Sequence, residues 1–266
     1  MKSINEYLKL KGVKQNPLYT TSPKTEDELK DIIADRIESE GPNCDLNDID
    51  TSNITDMSGL FYKSKFNGDI SNWNVMNVKN MEYMFANSKF NGDISGWDVS
   101  NVKNMKHMFE YSIFNGDISE WDVGNVIDMR NMFIASNFNG DISEWNVSNV
   151  ENMSEMFYYS KFNRDISKWN VSNVKFMAFM FANSQFNGDI SGWDVSNVKA
   201  MFSMFRNSKF NRDISNWNIS NVKDMRSMFK KSLFNGDISN WNVSKADMTD
   251  MFDRCPLESN PPEWYM

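Results

Sequence analysis

The sequence has very little of the chemistry on which most enzymes and metal sites depend. Its 266 residues include one histidine and two cysteines. Because His107 has no cysteine or second histidine nearby, neither a catalytic dyad nor the usual kind of zinc site can form around it. No glycine-rich phosphate loop follows a predicted strand. We therefore expect no enzymatic activity, no metal site and no cofactor.

Long apolar runs and an excess of positive charge are also missing. No run of about 18 apolar residues occurs, so we expect no membrane span. The opening stretch MKSINEYLKLKGVK has no continuous apolar segment and predicts no signal peptide. The net charge of -8 argues against nucleic-acid binding, because non-specific binding depends on Lys and Arg neutralising phosphates.

What the sequence does have is a 24-residue repeat, which reads FNGDISGWDVSNVKNMKHMFEYSI over residues 90–113. A fixed period of this length is typical of a solenoid, in which each unit is one coil stacked on its neighbours. Imperfect copies begin at Pro42 and Leu257. We number the opening phenylalanine of each coil as position 1. The full copies begin at Phe66, Phe90, Phe114, Phe138, Phe162, Phe186, Phe210 and Phe234.

Aromatic residues recur at fixed positions of the coil. All nine tryptophans occupy position 8, and nine of the 20 phenylalanines occupy position 20, counting a one-residue deletion in the last coil. Such regularity favours a stacked aromatic core over a binding box.

The hydrophobic pattern within a coil predicts an α/β solenoid. Ile94, Trp97 and Val99 show the alternation of a short strand, with Trp97 and Val99 pointing inward. Apolar residues over 102–109 recur at spacings of three, three and one, which predicts one or two helical turns. Phe-Asn-Gly-Asp then turns the chain back to the next strand.

The chain is predicted to divide into three parts. Residues 1–41 form a helical N-terminal cap, residues 42–257 form nine repeats, and residues 258–266 form a C-terminal cap. Three prolines follow the last coil and blunt its exposed edge, because proline cannot donate to a strand ladder. Trp264 keeps the position-8 register, so we expect it to lie beneath the last coil.

Two helices are predicted in the N-terminal cap. A short one covers residues 3–12, and residues 13–24 are expected to be extended or irregular. A longer helix has Thr25 as its N-cap, Glu28 at its third position and Gly41 as its stop. Its apolar face should cover the first coil. That face consists of Leu29, Ile32, Ile33 and Ile37.

The fuller string FNGDIS-x-W-[ND]-V-S-N-V-x-x-M-x-x-MF, which covers residues 42–257, resembles the BspA-like leucine-rich-repeat proteins of bacteria. The resemblance implies a right-handed solenoid with a parallel β-sheet on one side and short helical turns on the other. It also implies a surface or secreted interaction protein, associated with adhesion and partner binding, with no enzymatic activity.

Two polar columns have structural interpretations. The Asn at position 12, from Asn53 to Asn221, is expected to be a buried amide column that satisfies backbone groups of adjacent coils. The Asp at position 4, from Asp45 to Asp237, could bind Ca²⁺ or cap the turn. Capping is favoured, because each coil offers far fewer than the six to eight oxygens that Ca²⁺ takes.

Two sets of residues are candidates for partner binding. Positions 7 and 9 should point outward beside the Trp column, where they form either a solvated face or an acidic binding face. That set contains Asp98, Glu120, Asp122 and Glu144, followed by Lys168. In the second set, three phenylalanines replace polar residues at positions 15, 17 and 18, and two tyrosines close the preceding coil. These are Phe176, Phe179, Phe202, Tyr158 and Tyr159.

Clustered exposed aromatics usually mark a contact surface, although repacking against the neighbouring coil would give the same pattern. The leading functional hypothesis is a non-enzymatic binding or adhesion scaffold that holds a protein or a glycan. The alternative is a structural protein that self-associates into a homo-oligomer and has no separate ligand.

Overall fold

The coils stack so that residues 24 positions apart lie side by side. In this computed structural model, which describes residues 19–243 and 245–265, parallel bridges join Asn80 to Asn104 and Asn104 to Asp128. All the bridges are isolated, and no extended strand occurs in the described residues. The predicted α/β solenoid with a parallel β-sheet is therefore wrong, and so is the leucine-rich-repeat architecture that the resemblance implies.

The predicted strand is a pair of turns. The Trp97 N–H donates to the Ile94 carbonyl at 3.2 Å, and the Val102 N–H donates to the Val99 carbonyl at 2.9 Å. Trp97 and Val99 are buried, as the alternation predicts. Because each bond closes a four-residue turn, the backbone curls where a strand would run straight.

The predicted helical turns are also wrong, because left-handed residues interrupt them. Tyr83 and Asn87, at positions 18 and 22, have φ values of 58° and 56°. The Ala86 N–H closes a turn onto the Tyr83 carbonyl at 3.1 Å, whereas the Tyr83 N–H donates to Lys106 in the next coil at 3.0 Å. In an α-helix every N–H donates within the helix. Here the N–H groups donate alternately within the coil and to the next coil, so the segment is a series of turns that are hydrogen-bonded between coils.

Stacked aromatic rings run through the core, beside columns of buried Ile, Val and Met. The Phe85 ring stacks on that of Phe90, with centroids 4.4 Å apart, and lies 5.6 Å from that of Phe109 in the next coil. Trp73 and Trp97 stack at 6.4 Å. The prediction of a stacked aromatic core is confirmed. Burial of each ring contributes on the order of 1.5–3 kcal/mol.

Side-chain hydrogen bonds also join the coils. The Trp121 indole N–H donates to the Ile94 carbonyl at 3.0 Å, and the Asn125 side-chain amide donates to the Ser100 carbonyl at 2.7 Å. The position-12 amides therefore satisfy backbone groups of the neighbouring coil, as predicted. Asn125 is exposed, however, so the expectation of a buried column is wrong.

The position-4 aspartates cap the turn that follows them. The Asp93 carboxylate accepts the Ser95 N–H at 2.9 Å, and this backbone hydrogen bond is the main cause of a lowered Asp93 pKa. The capping interpretation is confirmed. Among the described residues, no group of three or more His, Cys, Asp or Glu is placed to hold a metal ion.

Helix α1, Glu26–Glu40, covers the first coil. The Thr25 hydroxyl accepts the Glu28 N–H at 3.1 Å, and the helix ends at Gly41, where φ is 91°. Leu29 and Ile33 are buried, while Ile32 and Ile37 pack against the core. The prediction of this helix is confirmed. The shorter helix predicted over 3–12 lies outside the described residues.

The opposite end is closed by Trp264. Its indole N–H donates to the Ile238 carbonyl at 2.8 Å, and its ring stacks on Trp241 at 6.3 Å. Two short 3-10 helices, Pro256–Glu258 and Glu263–Tyr265, carry the chain to this position. The predicted position of Trp264 beneath the last coil is confirmed.

Candidate interaction surface

The acidic residues beside the Trp column point outward into solvent. Asp98, Glu120, Asp122 and Glu144 are all exposed. Lys168 pairs with Glu144, and these two side chains are 66% and 69% exposed. Solvent screens an ion pair this exposed, so it contributes little to stability. The row is a solvated charged surface beside the buried tryptophans.

Four of the five aromatic candidates form a continuous surface across three coils. The Tyr158 ring lies 4.6 Å from Tyr159 and 5.8 Å from Phe179, and Phe179 lies 5.2 Å from Phe202. Every pair is edge-to-face, an arrangement that aromatic quadrupoles favour. We call these four residues the aromatic patch. Tyr159 is 58% exposed, whereas Tyr158, Phe179 and Phe202 are half-buried.

Phe176 lies apart from the aromatic patch. It occupies position 15 and is 42% exposed. It forms none of the ring pairs that join the other candidates among the described residues. Its carbonyl accepts the Met153 N–H at 3.0 Å, so the bridge between coils is kept although the side chain differs from the Asn or Asp of earlier coils. The structure thus brings together four of the five aromatic candidates.

A groove of about 320 Å³ opens beside the aromatic patch. Three aromatic residues line one part of it, and two amides and two cations line the remainder. We call it the basic groove; its lining residues are Tyr158, Tyr159, Phe179, Asn183, Arg206, Asn207 and Lys231.

The two cations of the basic groove have no carboxylate partner. Neither Arg206 nor Lys231 takes part in an ion pair among the described residues, whereas the adjacent Lys230 bonds both Asp250 and Asp253 at 2.9 Å. Burial is the main cause of a raised Tyr158 pKa, so this phenol stays neutral at pH 7. The groove therefore presents two cations that form no direct ion pair in the described residues, beside neutral aromatic surface.

A second groove, of about 490 Å³, lies on the same face of the first coils. Tyr62, Tyr83 and Glu82 line it, and the Tyr83 ring stacks on His107 at 4.2 Å. Glu82 pairs with Lys106 at 2.9 Å. The aromatic lining resembles that of the basic groove, but here the charged lining residue is a carboxylate that already has a cation beside it.

A family described as "Mycoplasma protein of unknown function, DUF285" matches residues 32–135, 110–207 and 161–264. The chain belongs to this family. Its three matches overlap, as expected where successive coils are nearly equivalent. The family shown is thus DUF285, and the more specific BspA-like identity is not confirmed. No curated protein and no solved structure matches the chain.

In this DUF285 chain, sequence reasoning missed the polar lining of the basic groove. Asn183, Asn207 and Lys231 occupy position 22, and Arg206 occupies position 21. Tyr158 and Tyr159 occupy the same two positions, so the register of the repeat alone would have placed all of these residues in line.

Within the described residues, no helix combines the length and apolar character needed to cross a bilayer.

Proposed function

We propose that the chain is a non-enzymatic repeat scaffold that binds a partner protein through the aromatic patch and the basic groove. One observation carries the proposal: a chain of partly exposed aromatic rings ends beside two cations without carboxylate partners. Aromatic residues and arginine are the types most enriched at the energetic centres of protein interfaces. Adhesion, which the resemblance implies, would be one use of such a surface.

The backbone supports this function because its hydrogen bonds do not depend on the side chains at positions 21 and 22. The Tyr159 N–H donates to the Ala182 carbonyl at 3.1 Å, and the Asn183 N–H donates to the Arg206 carbonyl at 2.8 Å. The same bond thus forms from a tyrosine or an asparagine. A rigid stack can therefore carry a varied surface, and a preordered surface loses little entropy on binding.

Selection from a displayed random-peptide library tests the proposal. The test variant combines Tyr159→Ser with Phe179→Ser, since other coils carry serine at position 18. Tyr111→Ser is the matched control, because Tyr111 shares position 22, a φ near that of Tyr159 (50° against 55°) and a similar exposure (55% against 58%). Peptides selected on the wild type should bind the test variant at least about tenfold more weakly and the control equally.

Two outcomes would overturn the proposal. One is that the selected peptides bind all three proteins equally. The other is that no peptide is enriched; concentration-dependent oligomers of the wild type in sedimentation experiments would then favour the self-associating structural protein.

A further inference from the structure

We infer that the basic groove binds the carboxylates of an acidic segment of the partner protein. The inference rests on the proposed function and specifies its chemistry. Acidic residues outnumber basic ones in the chain, 36 to 28. Arg206 and Lys231 nevertheless line one groove without an ion pair among the described residues, and a ligand of opposite charge would complete their interactions.

The lining residues are ordered along the stack. Position 22 reads Tyr159, Asn183, Asn207 and Lys231 in four successive coils, which gives an aromatic ring, two amides and a cation in one column. The Asn207 side-chain amide donates to Asn183 at 2.6 Å and joins the two central residues. At about 4.8 Å per coil the column spans roughly 14 Å, the length of four to five extended residues.

Arg206 sits beside this column, at position 21 of the coil that contains Asn207. A planar guanidinium can bind one carboxylate through two parallel hydrogen bonds, and the Lys231 ammonium can hold a second as a point charge. The aromatic end, formed by Tyr159 and Phe179, would then receive an apolar or aromatic side chain of the same segment. The site thus fits a short extended peptide that is acidic at one end and apolar at the other.

The second groove shows why charge is the distinguishing feature. It lies on the same face and is also lined by tyrosines, but its charged lining residue, Glu82, already pairs with Lys106. An acidic segment would find no lysine or arginine among the residues described as lining that groove. Nucleic acid is a poorer candidate for the basic groove, because two cations neutralise few phosphates and the net charge of -8 repels the rest of the strand.

Fluorescence anisotropy with three labelled probes tests the inference. The probes are the peptide Glu-Glu-Glu-Glu-Tyr, its counterpart Gln-Gln-Gln-Gln-Tyr, and an oligothymidine of similar length. The wild type should bind the glutamate peptide at least about tenfold more tightly than the glutamine peptide, and raising the salt concentration should reduce this preference. Equal binding of the two peptides, or tighter binding of the oligothymidine, would overturn the inference.

Substitutions of the groove cations test where the glutamate peptide binds. Arg206→Gln with Lys231→Gln should remove the preference, and Lys231→Gln alone, at an exposed side chain, should reduce it without affecting the fold. Lys79→Gln with Lys103→Gln is the control, because it removes the same charge from exposed position-14 residues outside the groove. If the control loses the preference equally, the attraction is diffuse and the inference fails.

The peptide selection separates this inference from the proposed function. Selected peptides without acidic residues, which bind Arg206→Gln/Lys231→Gln as well as the wild type but require Tyr159, would refute the acidic partner and keep the binding scaffold. Failure to enrich any peptide would refute both.

Discussion

The indole N–H of Trp145 donates to the backbone carbonyl of Ile118, 27 residues earlier in the chain, at 3.0 Å. The same bond joins Trp169 to Ile142 at 2.9 Å, so each tryptophan of this column fastens its own coil to the preceding one. Trp145 is also 3% exposed. A single side chain thus contributes apolar burial and satisfies a buried carbonyl of another coil.

We expect Trp145→Ala to lower the free energy of unfolding by about 3–5 kcal/mol, the usual cost of emptying an aromatic core site. Trp145→Phe should cost less but still about 1–3 kcal/mol, because it fills most of the space and leaves the Ile118 carbonyl without its donor. Urea unfolding followed by circular dichroism measures both. Losses below about 1 kcal/mol for both variants would show that the tryptophan column does not hold the stack together.

We expect Ala135→Gly to raise the free energy of unfolding by up to about 1 kcal/mol. Ala135 has a φ of 49°, a conformation that costs an L-residue about 1–2 kcal/mol and costs glycine nothing. In the helical turn that the sequence predicts, the same substitution would cost about 0.5–1 kcal/mol. The sign of the change in unfolding free energy therefore distinguishes the left-handed turn from the predicted helical turn.

Ala182→Gly is the matched control for that measurement. Ala182 lies at position 21, outside the left-handed region, and is buried. Its loss of a methyl group and gain of unfolded-state freedom should both destabilise the protein. If glycine destabilises the protein equally at both positions, the left-handed turns are not present in solution.

Stability should fall in acid because of the position-4 aspartates. The backbone N–H of Ser143 donates to the Asp141 carboxylate at 3.0 Å and lowers the Asp141 pKa, and Ser167 does the same for Asp165. A lowered folded-state pKa contributes stability that is present above the unfolded-state value of about 3.9 and is lost as pH falls through the folded-state value. The melting temperature should therefore be steady near pH 7 and drop below about pH 4.

Asparagine substitution isolates this effect, because it keeps an acceptor oxygen and removes the titration. The double variant Asp141→Asn/Asp165→Asn should show a smaller loss of melting temperature between pH 5 and pH 2.5 than the wild type. Melting curves of identical pH dependence would mean that other carboxylates control acid unfolding.

Helix α1 should stabilise the first coil through its buried face. Leu29 is 0% exposed, so Leu29→Ala should lower the free energy of unfolding by about 2–5 kcal/mol. Glu38→Ala, on the exposed side of the same helix, should change it by less than about 0.5 kcal/mol. Thermal unfolding monitored by circular dichroism compares the two. Equal, small effects would show that the stack is stable without this cover.

The sequence by itself determined which side chains form the core and where the stack ends. The positions of Trp97 and Phe109 within the period predict their burial, and Trp264 keeps the register through the last coil. Helix α1 could also be predicted from the sequence, because its N-cap at Thr25 and its stop at Gly41 depend only on residues nearby in the chain. Burial and capping depend on residue type and residue spacing, and the sequence contains both of these.

Only the tertiary structure decided the backbone between those positions. Alternate burial at Trp97 and Val99 is the same for a strand as for two linked turns, so periodicity could not separate them. The left-handed conformation of Tyr83 could not be predicted from the sequence, because this position is not a glycine. The hydrogen bond from the Tyr83 N–H to the Lys106 carbonyl of the next coil holds the conformation in place. The basic groove likewise exists only where stacking brings Arg206 and Lys231 beside Tyr159, since each contact joins residues of different coils.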